Sequence, residues 1–188
     1  MMKIMVITMA VNYSILIAGF GGQGILFAGK VMVYAGLVEG REVSWLPSYG
    51  PEMRGGTANC SVTISDEPIG SPLIINPNIF VAMNFPSFER FIDDVVPDCA
   101  VIIDSTLIEA KVARQDVKAF YIPATGLADE HELKGLANMI ILGKLLRETG
   151  FAKYDSVLAG LKKSVPASKT QLIEANIKAI ELGMNYID

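Results

Sequence analysis

The chain is poor in the residues that build metal centres and nucleophile–base pairs: two cysteines, one histidine and one tryptophan. Cys60 and Cys99 stand alone. An iron–sulfur cluster takes about four thiolates, and these two lack the C-x-x-C spacing of zinc or dithiol sites. They read as two small buried residues. A Ser-His-Asp triad or a multi-histidine metal site finds no support with His131 as the sole imidazole; following Asp129-Glu130, it reads as a surface turn residue. Charge is scarce too. Sixteen Lys and Arg face twenty Asp and Glu, a net charge of −4, so the basic stripe that nucleic-acid binding requires is missing. No apolar run reaches the roughly 18 residues of a membrane span. Lys3 followed by Ile4 to Val11 has the outline of a signal peptide but no small-residue cleavage site. Met1 to Ala10 therefore reads as an extra strand or an extension before the domain.

What is present is apolar: 51% hydrophobic residues against 19% charged in 188 residues. That balance belongs to a globular chain of one-domain size, able to bury roughly 70% of its extended surface without disulfide or metal. The low charge fits either a surface partly covered by partners or a thick α/β core.

Ser14 to Ala18 is an unbroken apolar run stopped by glycine, the pattern of a strand buried on both faces. The spacing then turns helical from Gly24 to Tyr34, with Gly36 and Gly40 as its end. Further strands are expected at Glu42–Leu46, Thr57–Ser65, Leu73–Ile75, Ile79–Met83, Ala100–Ile103 and Val117–Ile122. Helices are expected at Pro86–Phe91, Leu133–Thr149, Tyr154–Lys163 and Lys169–Leu182, the last capped by Ser168. The order predicts a three-layer α/β/α single domain, 1–188 with its core at 14–182, built on a mixed, mostly parallel sheet.

Gly19-Phe20-Gly21-Gly22-Gln23-Gly24 follows the first buried strand and opens the first helix. Glycines permit close backbone approach, and a helix N-terminus offers unpaired N–H groups and a positive dipole end. Three readings stay open: an anion or phosphate site, tight packing or a partner interface, and a dinucleotide site. The last wants an acid at the end of the second strand, whereas Glu39 and Glu42 come before or at its start.

A second Gly-rich segment, Ser48-Tyr49-Gly50-Pro51-Glu52-Met53-Arg54-Gly55-Gly56-Thr57, follows that second strand. Loops at strand carboxyl ends carry sites in open α/β sheets. Arg54 brings a planar cation suited to carboxylate or phosphate; a solvated turn is the plain alternative. Asn84, Asp104 and Ser105 end later strands and could join the same edge, or serve as caps and turn formers. No base–nucleophile pair, paired carboxylates or metal cluster emerges.

Ile17 to Ile25 together with Ser48 to Gly56, followed by Val62 to Ile69, resembles gamma subunits of 2-oxoacid:ferredoxin oxidoreductases. Val81 to Asn84, Asn138-Met139 and Leu142-Gly143 extend the resemblance, which runs from about Ser14 to Leu182. Asn84 departs from the pattern in being followed by Phe85-Pro86-Ser87 rather than by a polar residue such as Gln.

The resemblance implies a complex that converts a 2-oxoacid, CoA and oxidised ferredoxin into acyl-CoA, carbon dioxide and reduced ferredoxin. Thiamine diphosphate with Mg2+ would sit on alpha and beta subunits, and iron–sulfur clusters on a ferredoxin-like delta subunit. The gamma subunit would bind no cofactor alone, would help assembly and CoA access, and would work in the cytoplasm with neither nucleic acid nor membrane as partner. Carried over, Gly19, Gly21, Gly22, Gln23 and Gly24 would form the tight loop. Tyr49, Gly50, Glu52, Arg54, Gly55 and Gly56 would form an interface and anion loop, with Asn84 beside them. The second motif looks more like the 2-oxoglutarate and branched-chain types than the pyruvate type.

Overall fold

The computed structural model describes residues 11–48 and 57–187. Six strands form one sheet in the order β2-β3-β1-β4-β5-β6. They are β1 (Asn12–Phe20), β2 (Glu42–Ser48), β3 (Thr57–Ser65), β4 (Ile79–Ala82), β5 (Ala100–Asp104) and β6 (Lys118–Ile122). β1, β4, β5 and β6 pair in parallel, while β3 runs antiparallel to both β1 and β2. β2 therefore points the same way as the parallel set, and β3 alone is reversed. This is the mixed, mostly parallel sheet that the sequence predicts.

The strand residues explain the layering. β1 buries Ile15, Leu16, Ile17 and Ala18, so both of its faces are covered. Ile15 and Ile17 join Cys60, Val62 and Ile64 of β3 on one face. Helices α1 (Ile25–Val38), α3 (Ala124–Glu130), α4 (Ala137–Thr149), α5 (Tyr154–Ser164) and α6 (Ile173–Asn185) contribute to this thick layer. Leu16 and Ala18 face a thinner layer that includes Phe88 of α2 (Phe85–Phe91) and Ile108.

Two glycines set the spacing of the thick layer. A Cβ on Gly143 of α4 would run into the Ile180 carbonyl, and one on Gly183 of α6 into the Ile140 carbonyl. The two helices thus touch backbone to backbone at a reciprocal pair of side-chain-free positions.

Several boundaries differ from the sequence reading. Leu73–Ile75 is not a strand. Pro72 and Pro77 flank it and remove donors, and its residues lie over the polar face of β3, around a cleft shared with Thr63 and Ser65. Gly36 lies inside α1, where its missing side chain makes room for Val43 and Ile64, so the helix runs on to Val38. α3 lies in a stretch for which the sequence reading placed no element. The last helix begins at Ile173 rather than Lys169, because Ala167–Leu172 winds as a 3-10 turn; Ser168 lies inside that turn and Leu172 takes the cap position. Met1 to Ala10 lies outside the described residues.

Candidate functional site: the carboxyl edge of the sheet

The parallel set of strands brings the Gly loop after β1, Asn84 after β4 and Asp104 at the end of β5 to one edge. Ser48 and Thr57, which flank the second Gly-rich segment, belong to this edge too: Thr57 pairs with Phe20 and Ser48 with Asn59. Tyr49, Gly50, Glu52, Arg54, Gly55 and Gly56 lie outside the described residues.

The Gly loop is shaped from within by Gln23. Its Oε1 accepts the Phe20 N–H at 2.6 Å and its Nε2 donates to the Met83 carbonyl at 2.9 Å, tying the loop to the end of β4. Both ends of this amide are engaged, so Gln23 acts as a clasp. Gly22 and Gly24 hold φ of 95° and 76°, backbone that side chains strongly disfavour. Gly19 is a packing position: a Cβ there would stand 2.8 Å from Ile25 Cδ1 and 3.0 Å from Met83 Cβ. Gly21 and Gly22 are exposed, with open space where a side chain would be. The segment thus divides between packing (Gly19, Gly24) and surface presentation (Gly21, Gly22).

Asn84 caps α2, its Oδ1 accepting the Ser87 N–H at 2.8 Å, while its Nδ2 and the Ser87 hydroxyl are buried without partners among the described residues. The cap role anticipated for Asn84 is present, with one unused donor beside it. Asp104 is fully buried and receives the Thr125 hydroxyl at 2.6 Å and the Thr106 N–H at 3.1 Å, which fastens β5 to the start of α3. That network is structural. His131 ends α3 in an exposed position.

The thiols are inert small residues. Burial pushes Cys60 up to about 12, with a hydrogen bond to Trp45 opposing it, and Cys99 likewise to about 12, opposed by Arg114. They sit on opposite faces of the sheet. Among the described residues no group of three or more His, Cys, Asp or Glu could hold a metal ion. Two thiols on opposite faces do not make the four-thiolate set of an iron–sulfur cluster. Nor is any described helix long and apolar enough to cross a membrane.

The dinucleotide reading fails on topology. In a dinucleotide fold the second strand lies parallel beside the first; here β3 intervenes, reversed. Glu42 opens β2, about 20 Å of strand from the carboxyl edge, and the Glu39 carboxylate accepts the Lys153 N–H at 2.6 Å.

One feature of this edge was not apparent in the sequence. Phe20, Phe85 and Leu107, each just past or at the end of a parallel strand, are 42%, 46% and 40% exposed. Each adds an exposed apolar side chain to the carboxyl edge, and the three make its apolar rim. The signal was an apolar residue at a strand end or within the short stretch after it, where turn formers are the rule.

A family model described as pyruvate ferredoxin/flavodoxin oxidoreductase matches residues 14–186. Ketoisovalerate oxidoreductase subunit VorA of Methanothermobacter thermautotrophicus is 40% identical over 172 residues, 90% of this chain but 35% of that protein. The chain thus spans about a third of that relative's length. 2-Oxoglutarate synthase subunit KorC of Methanocaldococcus jannaschii is 36% identical over 170 residues, 89% of each chain. Among solved structures, the gamma subunit of a keto/oxoacid ferredoxin oxidoreductase from Geobacter sulfurreducens superposes with a TM-score of 0.78 at 26% identity, covering 91% of this chain and 95% of that one. With the family model matched over nearly the whole sheet and both helical layers, the chain belongs to the pyruvate ferredoxin/flavodoxin oxidoreductase family.

Proposed function

We propose that this chain is the gamma subunit of a 2-oxoacid:ferredoxin oxidoreductase complex. The observation that carries the reading is the end-to-end correspondence with KorC, 89% of both chains. The carboxyl edge supports it. Its described residues hold open glycines and an apolar rim but no base–nucleophile pair or metal-ligand cluster. An edge of that composition suits contact with a partner that carries the reactive groups.

In this reading the thiamine diphosphate, Mg2+ and iron–sulfur clusters belong to alpha, beta and delta chains, and this chain shapes the approach of CoA. Gly19, Gly21, Gly22, Gln23 and Gly24 give the edge its form, with Asn84 alongside. Arg54, within Tyr49, Gly50, Glu52, Gly55 and Gly56, is the proposed cation for a CoA phosphate. The one-domain organisation over 1–188 and a cytoplasmic setting form part of the same proposal.

The test is reconstitution. The chain alone should show no oxidoreductase turnover, and turnover should return on adding thiamine-binding and iron–sulfur subunits from the same host. Arg54→Ala should raise the KM for CoA of the assembled complex by about tenfold or more, the loss of one charge-assisted hydrogen bond, with assembly intact. Failure to co-purify with such subunits would sink the subunit reading. Weakened assembly at unchanged KM would leave a purely structural interaction role.

A further inference from the structure

Two phenylalanines stand at neighbouring strand ends of the carboxyl edge. Phe20 closes β1, and Phe85 opens α2 just past β4. β1 and β4 pair in parallel, with Ala18 opposite Ala82, about 4.8 Å from strand to strand. Side chains alternate along a strand, so Phe20 shares the face of Leu16 and Ala18, which is also the face that Phe88 of α2 covers. Of the eight phenylalanines these two alone are exposed, at 42% and 46%; the rest are buried or half-buried. The segments around them, 12–29 and 79–88, contain no charged residue. Exposed aromatics with charge depleted around them are the composition of the core of a protein–protein interface. A small anion would find no cation on either segment.

One side chain ties the two positions together. Gln23 engages Phe20 twice: its own N–H donates to the Phe20 carbonyl at 3.3 Å, and its Oε1 accepts the Phe20 N–H at 2.6 Å. Its Nε2 donates to the Met83 carbonyl at 2.9 Å, while the Met83 N–H donates to the Ala18 carbonyl at 2.8 Å. From Met83 the restraint runs on to Phe85. Asn84 is 1% exposed and caps α2 through the Ser87 N–H, and the Phe85 ring lies 6.5 Å from the ring of Phe88, which belongs to the core. Gly19 keeps the way clear for the amide, since a Cβ there would stand 2.5 Å from Gln23 Oε1. The backbones that carry the two exposed rings are thus joined through a single glutamine.

We infer that Gln23 is a positioning residue for subunit recognition, holding Phe20 and Phe85 as one paired aromatic anchor for the thiamine-binding partner. The inference rests on the subunit reading and adds to it the anchor and the residue that sets it. Aromatic anchors dominate interface energetics, and groups already fixed in the free chain lose little freedom on binding. Gln23 acts through the two rings, because both ends of its amide are spent inside the chain.

The full-length chain is titrated onto the thiamine-binding subunits of the same host, and the dissociation constant is read for a cycle of variants. Phe20→Ser with Phe85→Ser should weaken association about tenfold or more, and so should Gln23→Ala. In the Gln23→Ala background the same two ring changes should cost less than about threefold, because the paired anchor is already lost. A glutamine that only stabilises the chain would lower the melting temperature and leave the cost of the ring changes the same in both backgrounds. Gln23→Glu, which keeps the acceptor for Phe20 but has no donor for Met83, repeats the cycle should Gln23→Ala fail to fold, with the same reduced ring cost expected. Equal ring costs with and without Gln23, or no loss from the ring changes at all, would overturn the inference and leave the subunit reading standing. A free chain that self-associates through the same rings would assign them to a second copy and overturn it too. If the wild-type chain does not associate with those subunits, the subunit reading fails and this inference falls with it.

Discussion

Gln23 is the residue on which the shape of the Gly loop depends. Its amide joins the Phe20 N–H to the Met83 carbonyl, and the space where Gly21 and Gly22 would carry side chains is open. Each of the two hydrogen bonds contributes on the order of 1 kcal/mol. Gln23→Ala should therefore lower stability by about 1–2 kcal/mol and leave the fold intact. Amide exchange should accelerate at Phe20 to Gly22 and stay unchanged in the β1–β4 ladder. Exchange that stays slow at Phe20 would mean that the backbone alone holds the loop. The residue type was visible in the sequence as part of a glycine motif, but its use was not. A pattern of glycines specifies permissive backbone; only the packed end of β4 decides that Gln23 turns inward to a carbonyl rather than outward to a ligand. Asn84 is similar, with its cap role legible from a polar residue before Phe85-Pro86 and its buried, unused Nδ2 legible only from the fold.

Among the elements, α4 and α6 form the tightest helix pair, and their sequences say little about why. Gly143 and Gly183 look like helix-weakening residues in otherwise good helices, each costing up to about 1 kcal/mol in propensity. Each instead admits the other helix's carbonyl. Gly143→Ala would raise propensity locally yet force the helices apart. A net loss of about 1–3 kcal/mol is expected, seen as a melting temperature several degrees lower. A neutral or stabilising result would show that the pair yields easily. Strands were more legible than helices here. β1 and β3 to β6 announce themselves by apolar runs or alternation, because burial on both faces, or on one, leaves a short unmistakable period. The apolar triplet Leu73–Ile75 imitates that signal without becoming a strand, since adjacent prolines deny it a ladder. The 3-10 turn at Ala167–Leu172 defeats the cap rule because Ser168 finds no helix start to cap.

At the scale of the whole molecule the two edges of the sheet differ in kind. The amino edge is stitched by Arg41, which reaches Asp66 at 2.8 Å, the Phe151 carbonyl at 3.1 Å and the Val11 carbonyl at 3.1 Å, and lies over the Tyr13 ring. The carboxyl edge presents Phe20, Phe85 and Leu107 instead. If that rim is the docking surface, Phe20→Ser with Phe85→Ser should leave the isolated chain's melting temperature nearly unchanged. It should weaken recovery of thiamine-binding subunits by about tenfold or more, as the loss of one or two central aromatic contacts would. Undiminished assembly would move the interface elsewhere. Fold class follows from the alternation of elements and was open to reading from the outset; a rim is a property of several chain segments at once, and Phe20, Phe85 and Leu107 are far apart in sequence.

The single reversed strand has a further consequence. Because β3 alone runs against the others, the end of β2 and the start of β3 both lie at the carboxyl edge, with the Gly loop. The last described pairs are Ser48 with Asn59 and Phe20 with Thr57, and changes of sequence beyond them leave the described pairs that hold the sheet untouched. Folding and recognition are in this way written in different letters, so the vocabulary at the edge is free to change while the grammar of the sheet stays fixed.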